Sequence, residues 1–181
     1  MSKVVVMLHV SADGVVGAPA WPRPSADDEH AQFQLGLLFA SRALLLGRVT
    51  YQEMAAAWPQ RDPHDAFTDR VARIPKFVVS GVLEEASWNA VLIRDDVTER
   101  VAKLKREPGL DLLVYGSLTL VDHLFAHGLV DVLRLCVHPH TAGPGRRMLA
   151  SVTRPQTWTV AGAAAFGSGA VVLDYRKPTD D

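Results

Sequence analysis

Cysteine is almost missing from this chain of 181 residues: Cys136 is the only one. No intramolecular disulfide can form, which fits a reducing compartment and a cytoplasmic location. Apolar residues flank it, so it reads as a buried structural thiol. An excess of either charge is missing as well. The 19 Lys and Arg against 20 Asp and Glu leave a formal charge of −1, and no electrostatic case for nucleic acid or an anionic membrane. No segment approaches the roughly 20 apolar residues that span a bilayer. The opening MSKVVVMLHV is short, lacks a small-residue cleavage site and runs into Asp13, so it reads as a strand rather than a leader.

Several chemical signatures are absent too. No G-x-G-x-x-G follows the first strand and no G-x-x-x-x-G-K-[ST] occurs, which disfavours a Rossmann domain and a P-loop nucleotidase. G-x-S-x-G is missing, so a serine hydrolase elbow has no support. H-x-E and C-x-x-C are missing, which excludes a zinc deaminase half. The seven histidines form no metal-ligand constellation. His138 and His140 could share one side of an extended segment, but no third ligand stands out, and no metal is expected.

What remains is an ordinary globular composition, 48% hydrophobic and 22% charged, long enough for one domain over residues 1–181. Valine-rich Val4 to Val10 reads as a buried strand, broken by Ser11-Ala12-Asp13-Gly14 and a loop holding Pro19, Pro22 and Pro24. Ser25 to Ser41 reads as a helix that Ser25 can cap, with Asp27, Asp28 and Glu29 at its positive end. Further strands are expected at 43–46, 76–80, 91–94, 111–115, 130–138, 159–165 and 170–175, with helices at 50–57, 95–106 and 117–127 and a short helix within 61–73. Strands separated by helices imply parallel pairing, and the closing pair around Gly167-Ser168-Gly169 implies an antiparallel hairpin. The fold class is a three-layer α/β/α domain with a mixed, mostly parallel sheet.

Two strand-to-helix junctions stand out. ALLLGRVTYQEM, from Ala43 to Met54, carries a buried strand into Gly47-Arg48 and a helix expected to open at Thr50. A helix N-terminus offers unpaired N–H groups and partial positive charge, which suits a phosphate, and Arg48 adds a fixed cation. Leu112 to Leu120 repeats the grammar: Gly116 lets a ligand approach the backbone, and Ser117 can cap the helix and donate to phosphate. Ser80 ends a third strand. In an open α/β sheet, ligands sit outside the carboxyl ends of parallel strands. Each junction alone is equally a plain turn; together they suggest a dinucleotide.

An ordered set of short motifs spans roughly residues 3 to 175: S-A-D-G at 11–14, L-L-G-R-V-T-Y at 45–51, K-F-V-V-S at 76–80, V-Y-G-S at 114–117, G-L-V-D at 128–131 and T-A-G-P-G-R-R-M-L at 141–149. On these, the chain resembles the dihydrofolate reductase-like superfamily, and more closely the RibD C-terminal domain family of riboflavin-biosynthesis reductases. The resemblance implies NADPH along the carboxyl edge of the sheet. Gly47, Arg48 and Thr50 would meet its phosphates, Arg48 on the 2′-phosphate side. Ser80 would lie near the adenosine, and Gly116, Ser117 and Leu118 would hold the pyrophosphate. The loop with Ser11, Asp13 and Gly14 would border nicotinamide and substrate. Glu29 is the best-placed candidate for a substrate-side acid, because Phe33 lies one turn on, and Asp28 and Asp27 are close alternatives. Acidic residues at a helix start equally need no such role. Two departures from the family pattern are Gln52 before Glu53, and Val132 where the family carries an acid.

The function expected is NADPH-dependent hydride transfer to a small heteroaromatic, pterin-like or ribitylamino-pyrimidine-like substrate. The alternative is a non-catalytic module of the same fold binding a nucleotide, pterin or flavin. By the same resemblance a homodimer is expected.

Overall fold

Strand β1 (Val4–Ser11) is buried at seven of its eight positions, because it has a strand on either side and helices on both faces. The computed structural model describes residues 1–17 and 28–178. After β1 come β2 (Val15–Val16), α1 (Asp28–Phe39), β3 (Ser41–Gly47), α2 (Arg48–Ala57), a 3₁₀ turn at Trp58–Gln60 and α3 (Ala66–Arg73). Then follow β4 (Lys76–Val79), β5 (Ala90–Ile93), α4 (Val97–Arg106), β6 (Asp111–Tyr115), α5 (Leu118–Ala126), β7 (Val132–His138), β8 (Arg146–Arg147), β9 (Thr159–Ala165) and β10 (Val171–Arg176).

One eight-stranded sheet runs in the order β5-β4-β3-β6-β1-β7-β10-β9. The first six strands are mutually parallel, while β10 pairs antiparallel with both β7 and β9. The mixed sheet and its terminal hairpin are those expected from the sequence. Alternation along β1 divides the core. Val4, Val6, Leu8 and Val10 face the layer of α4 and α5, packing with Val101, Leu120 and Leu124. Val5 and Met7 face the layer of α1, α2 and α3, packing with Leu37, Leu38, Tyr51 and Val71. Each fully buried aliphatic side chain contributes about 1.5–3 kcal/mol relative to exposure. Among the described residues, no helix is long and apolar enough to cross a membrane.

The structure corrects several boundaries. Helix α1 is described from Asp28 and stops at Phe39; Ser25, Asp27 and the three prolines of the preceding loop lie outside the described residues. Ser41 belongs to β3, and its hydroxyl donates to the Leu37 carbonyl, at 2.7 Å, just past the helix end. Helix α2 opens at Arg48, two residues before the expected start at Thr50. Strands β2 and β8 pair with each other in a separate ribbon, two residues each and too short for any periodicity to reveal.

Candidate functional site

Strands β3 and β6 are neighbours, pairing Leu44 with Leu113 and Leu45 with Val114. The chain leaves β3 toward β4 on one side of this pair and leaves β6 for β7 on the other, beyond β1. Such a reversal opens a crevice at the carboxyl ends. Both junctions read from the sequence meet there. The Gly47 N–H donates to Ser117 Oγ at 2.8 Å. A Cβ on Gly116 would stand 3.6 Å from Thr50 Cγ2. Gly116 (φ +68°) and Ser117 (φ +57°) are both left-handed, a conformation that glycine takes freely and that costs serine on the order of 1–3 kcal/mol.

That geometry overturns the expectation that Ser117 caps its helix. In a left-handed N-cap residue the hydroxyl is carried away from the first turn, and here it serves Gly47 instead, so α5 begins without a side-chain cap. Helix α2, capped by Gly47, also begins without one. Two helix starts with no side-chain acceptor on their leading N–H groups therefore flank the crevice. Arg48 is exposed on α2, and its guanidinium donates to Gln52 Oε1 at 3.0 Å, so the residue that departs from the family pattern holds the arginine along its own helix. Ser80 is buried just past β4, where its hydroxyl accepts the N–H groups of Val82 and Leu83 and turns the chain. Leu118 opens α5, its Cδ1 lying 3.8 Å from where a Cβ on Gly17 would sit.

That contact brings in the loop after β1. Ser11 donates its hydroxyl to Asp13 at 2.6 Å, and Asp13 also accepts the N–H groups of Ala142 and Gly143 at 3.0 and 2.9 Å. The Ser11 hydroxyl, followed by those two amides, holds the Asp13 carboxyl far below the ordinary carboxylate range. Gly14 (φ +83°) turns the chain so that Val15 and Val16 pair with Arg147 and Arg146. Arg147 donates to the Asp13 carbonyl, and Arg146 pairs with Asp122 on α5. The S-A-D-G and T-A-G-P-G-R-R-M-L segments, far apart in the chain, thus form one clasp fastened to the helix of the second junction.

On the α1 side of β1 and β7 lies a polar cluster that the sequence reading missed. His9 Nδ1 and His138 Nε2 are 2.8 Å apart, and His9 Nε2 is 3.3 Å from the Tyr115 hydroxyl. Tyr115 donates to Gln34 Oε1 at 2.7 Å, and Gln34 Nε2 is 2.9 Å from His30 Nε2. Cys136 Sγ lies 3.6 Å from both His30 Nε2 and His138 Nε2. Burial first, then His138 and His30, lowers the His9 pKa to about 4; burial also lowers that of His138. Burial raises the Cys136 thiol to about 11 and, with Cys136 adding to it, lifts the Tyr115 phenol above its ordinary value. Burial thus favours the neutral forms of His9, His138, Cys136 and Tyr115 at physiological pH. His138 and His140 do lie near one another, ring centroids 5.9 Å apart, and the further neighbours that His138 acquires are Cys136 and His9. The available signal was period-2 alternation: Cys136 and His138 share one face of β7, and His9 is the register neighbour of Cys136 on β1.

Asp28 and Glu29, the candidate acids, are exposed on the first turn of α1. The side chain of that turn that enters the interior is His30, buried and stacked on Phe166 with ring centroids 5.1 Å apart.

The uncharacterized protein YyaP of Bacillus subtilis (strain 168) is 27% identical over 180 residues, covering 96% of this chain and 94% of its own. Among solved structures, a pyrimidine reductase-like protein of Corynebacterium diphtheriae superposes with a TM-score of 0.71 at 12% identity, over 99% of this chain and 93% of that one. Dihydrofolate reductase of Enterococcus faecalis, complexed with NADP(H) and RAB-propyl, superposes with a TM-score of 0.68 at 14% identity, over 98% and 97%. The fold is thus dihydrofolate reductase-like. Residues 2–172 match the RibD C-terminal domain, and the chain belongs to that family.

Proposed function

We propose that this protein is an NADPH-dependent reductase that transfers hydride to a small heteroaromatic substrate, pterin-like or ribitylamino-pyrimidine-like. The observation that carries the reading is the meeting of the two junctions, with Gly47 bonded to Ser117 and Gly116 against Thr50 between two helix starts that lack side-chain caps. This arrangement fits the linked phosphates of a dinucleotide: exposed N–H groups and partial positive charge converge from two helices, and glycines let the ligand approach the backbone. Membership of the RibD C-terminal domain family supports it, as does the NADP(H) complex of the structurally similar Enterococcus reductase.

When bound, NADPH supplies the hydride. The protein's share is to hold and orient. Gly47, Thr50, Gly116, Ser117 and Leu118 form the phosphate cradle, Arg48 meets the 2′-phosphate, and Ser80 borders the adenosine. The clasp built on Ser11, Asp13 and Gly14 shields nicotinamide and substrate from water. Glu29, with Asp28 beside it, delivers the proton where the acceptor needs one. A cytoplasmic homodimer belongs to the same proposal. All seven residues of β9 are exposed at the sheet edge, where a second copy could dock, and sedimentation velocity measures its presence.

The test is titration with NADPH and NADH, followed by cofactor fluorescence and thermal shift. NADPH binding is expected, and Arg48→Ala should weaken NADPH more than NADH. Equal losses would contradict the 2′-phosphate role, and no response to millimolar NADPH would overturn the reading. Binding without NADPH oxidation across pterin, flavin and pyrimidine acceptors would assign a binding module instead.

A further inference from the structure

The geometry points to a transition-metal site of the zinc type formed by His9, Cys136 and His138 in the interior, a site that stands independently of the cofactor reading. The three ligand atoms, two imidazole nitrogens and one thiol sulfur, all lie within 4.8 Å of one another. Cys136 and His138 share one face at the end of β7 and His9 lies beside them on β1, so paired strands preorganise them.

The distances suit an ion. Zinc bonds of about 2.0–2.1 Å to nitrogen and about 2.3 Å to sulfur place tetrahedral ligand atoms roughly 3.4–3.6 Å apart. Cys136 Sγ and His138 Nε2 are already 3.6 Å apart. His9 Nδ1 and His138 Nε2, at 2.8 Å, need to part by about half an ångström, a small rotation of either ring. The mixture of imidazole and thiolate selects a borderline-soft ion over magnesium or calcium.

The surroundings prepare one ligand for the task. A consistent direction runs along the network: His9 Nε2–H donates to the Tyr115 oxygen, Tyr115 to Gln34, and the Gln34 amide to His30. That direction leaves the His9 Nδ1 lone pair facing the site, as an outer partner fixes the tautomer of a metal-bound histidine. Uptake balances simply. The Cys136 thiol gives up one proton to solvent, the proton by which His138 Nε2 bonds His9 Nδ1 passes to His138 Nδ1, and the ion takes the three freed lone pairs. His30 Nε2, 3.6 Å from the same sulfur, already accepts the Gln34 amide proton and is not one of the ligands.

The experiment uses the full chain, reduced and stripped with a chelator, titrated with Zn²⁺ and separately with Co²⁺. One equivalent of each should bind, Co²⁺ giving a thiolate charge-transfer band and intense tetrahedral ligand-field bands. Cys136→Ser should abolish the charge-transfer band, and His138→Gln should weaken Zn²⁺ by about tenfold or more. Failure of the reduced wild-type chain to take up one equivalent of either ion would overturn the assignment. So would Co²⁺ uptake without a thiolate band, or Zn²⁺ uptake unchanged in both variants. If a variant does not fold, the wild-type cobalt spectrum decides alone. NADPH titration of the stripped chain reads the cofactor site separately, so either proposal can fail without the other.

Discussion

The backbone N–H of Gly47 ends on the side-chain oxygen of Ser117, 70 residues further along the chain, at 2.8 Å. This bond joins the end of β3 to the start of α5 and sets the spacing between the two helix starts. Ser117→Ala leaves a partly buried amide without its acceptor, at about 1–3 kcal/mol. Because a difference of 1 kcal/mol moves the melting temperature of a domain this size by about 2–4 °C, thermal denaturation resolves it. The same variant should weaken NADPH. A variant as stable and as tight as the parent would show that the bond does not set the crevice.

His9 predicts an acid limit. Its pKa falls from 6.5 to about 4 on folding, so between those values the unfolded chain binds a proton that the folded chain refuses. The unfolded state then holds more protons, and stability declines as pH falls through that window. The full decline is on the order of 3 kcal/mol. The groups facing His9 are His138, His30, Tyr115 and Cys136, and the first two add to the effect by repelling a charge at position 9. Urea titrations across the window should show the decline, and His9→Gln should flatten it in part. An identical slope in the variant would remove His9 as its source.

How much of this could be read beforehand depended on range. Strands 76–79, 111–115 and 159–165 and their helices announce themselves by local pattern, and the parallel order follows from alternation. The crevice was legible because each junction is local and the two share a grammar. The clasp was legible only as two motifs. What joins them is the pairing of Val15 with Arg147, a contact across 132 positions that no local pattern encodes. The histidine cluster was hidden for the same reason: its members come from β1, α1, β6 and β7, and only the strand order β6-β1-β7 brings them together. The misplaced cap at Ser117 had a different origin. Residue preference names serine as a cap, but the left-handed backbone decides where its hydroxyl points.

Gly145 tests the clasp. A Cβ at this position would overlap Cγ1 of Val15, a fully buried side chain with no space to retreat into. Gly145→Ala should therefore force the β2–β8 ribbon apart, at about 1–3 kcal/mol. Limited proteolysis should then cut within residues 141–149 faster than in the parent, while Gly143→Ala, whose Cβ meets no neighbour within 4 Å, probes only the positive φ of +73°. Equal proteolysis of the Gly145 variant and parent would mean that the ribbon does not fasten the loop.

Asp131, the last residue of the G-L-V-D motif, separates the architecture from the site. Its carboxylate accepts the Val4 N–H at 2.8 Å and the Lys105 ammonium at 2.7 Å, while its own N–H donates to the Val4 carbonyl at 3.0 Å. Lys105 also donates to the Leu129 carbonyl at 2.9 Å. The residue thus pins the start of β1 to the chain entering β7 and to the end of α4, at the amino edge of the parallel strands and opposite the crevice. The pair is only partly exposed, at 20% and 26%, so it outweighs a surface ion pair. Asp131→Ala should cost about 1–3 kcal/mol, because the Val4 amide loses its acceptor and Lys105 keeps only the Leu129 carbonyl. NADPH affinity, measured well below the melting transition, should stay at the parental value. Thermal denaturation and fluorescence titration on the same preparation make the comparison. A large loss of NADPH affinity without a loss of stability would place Asp131 in the binding machinery instead.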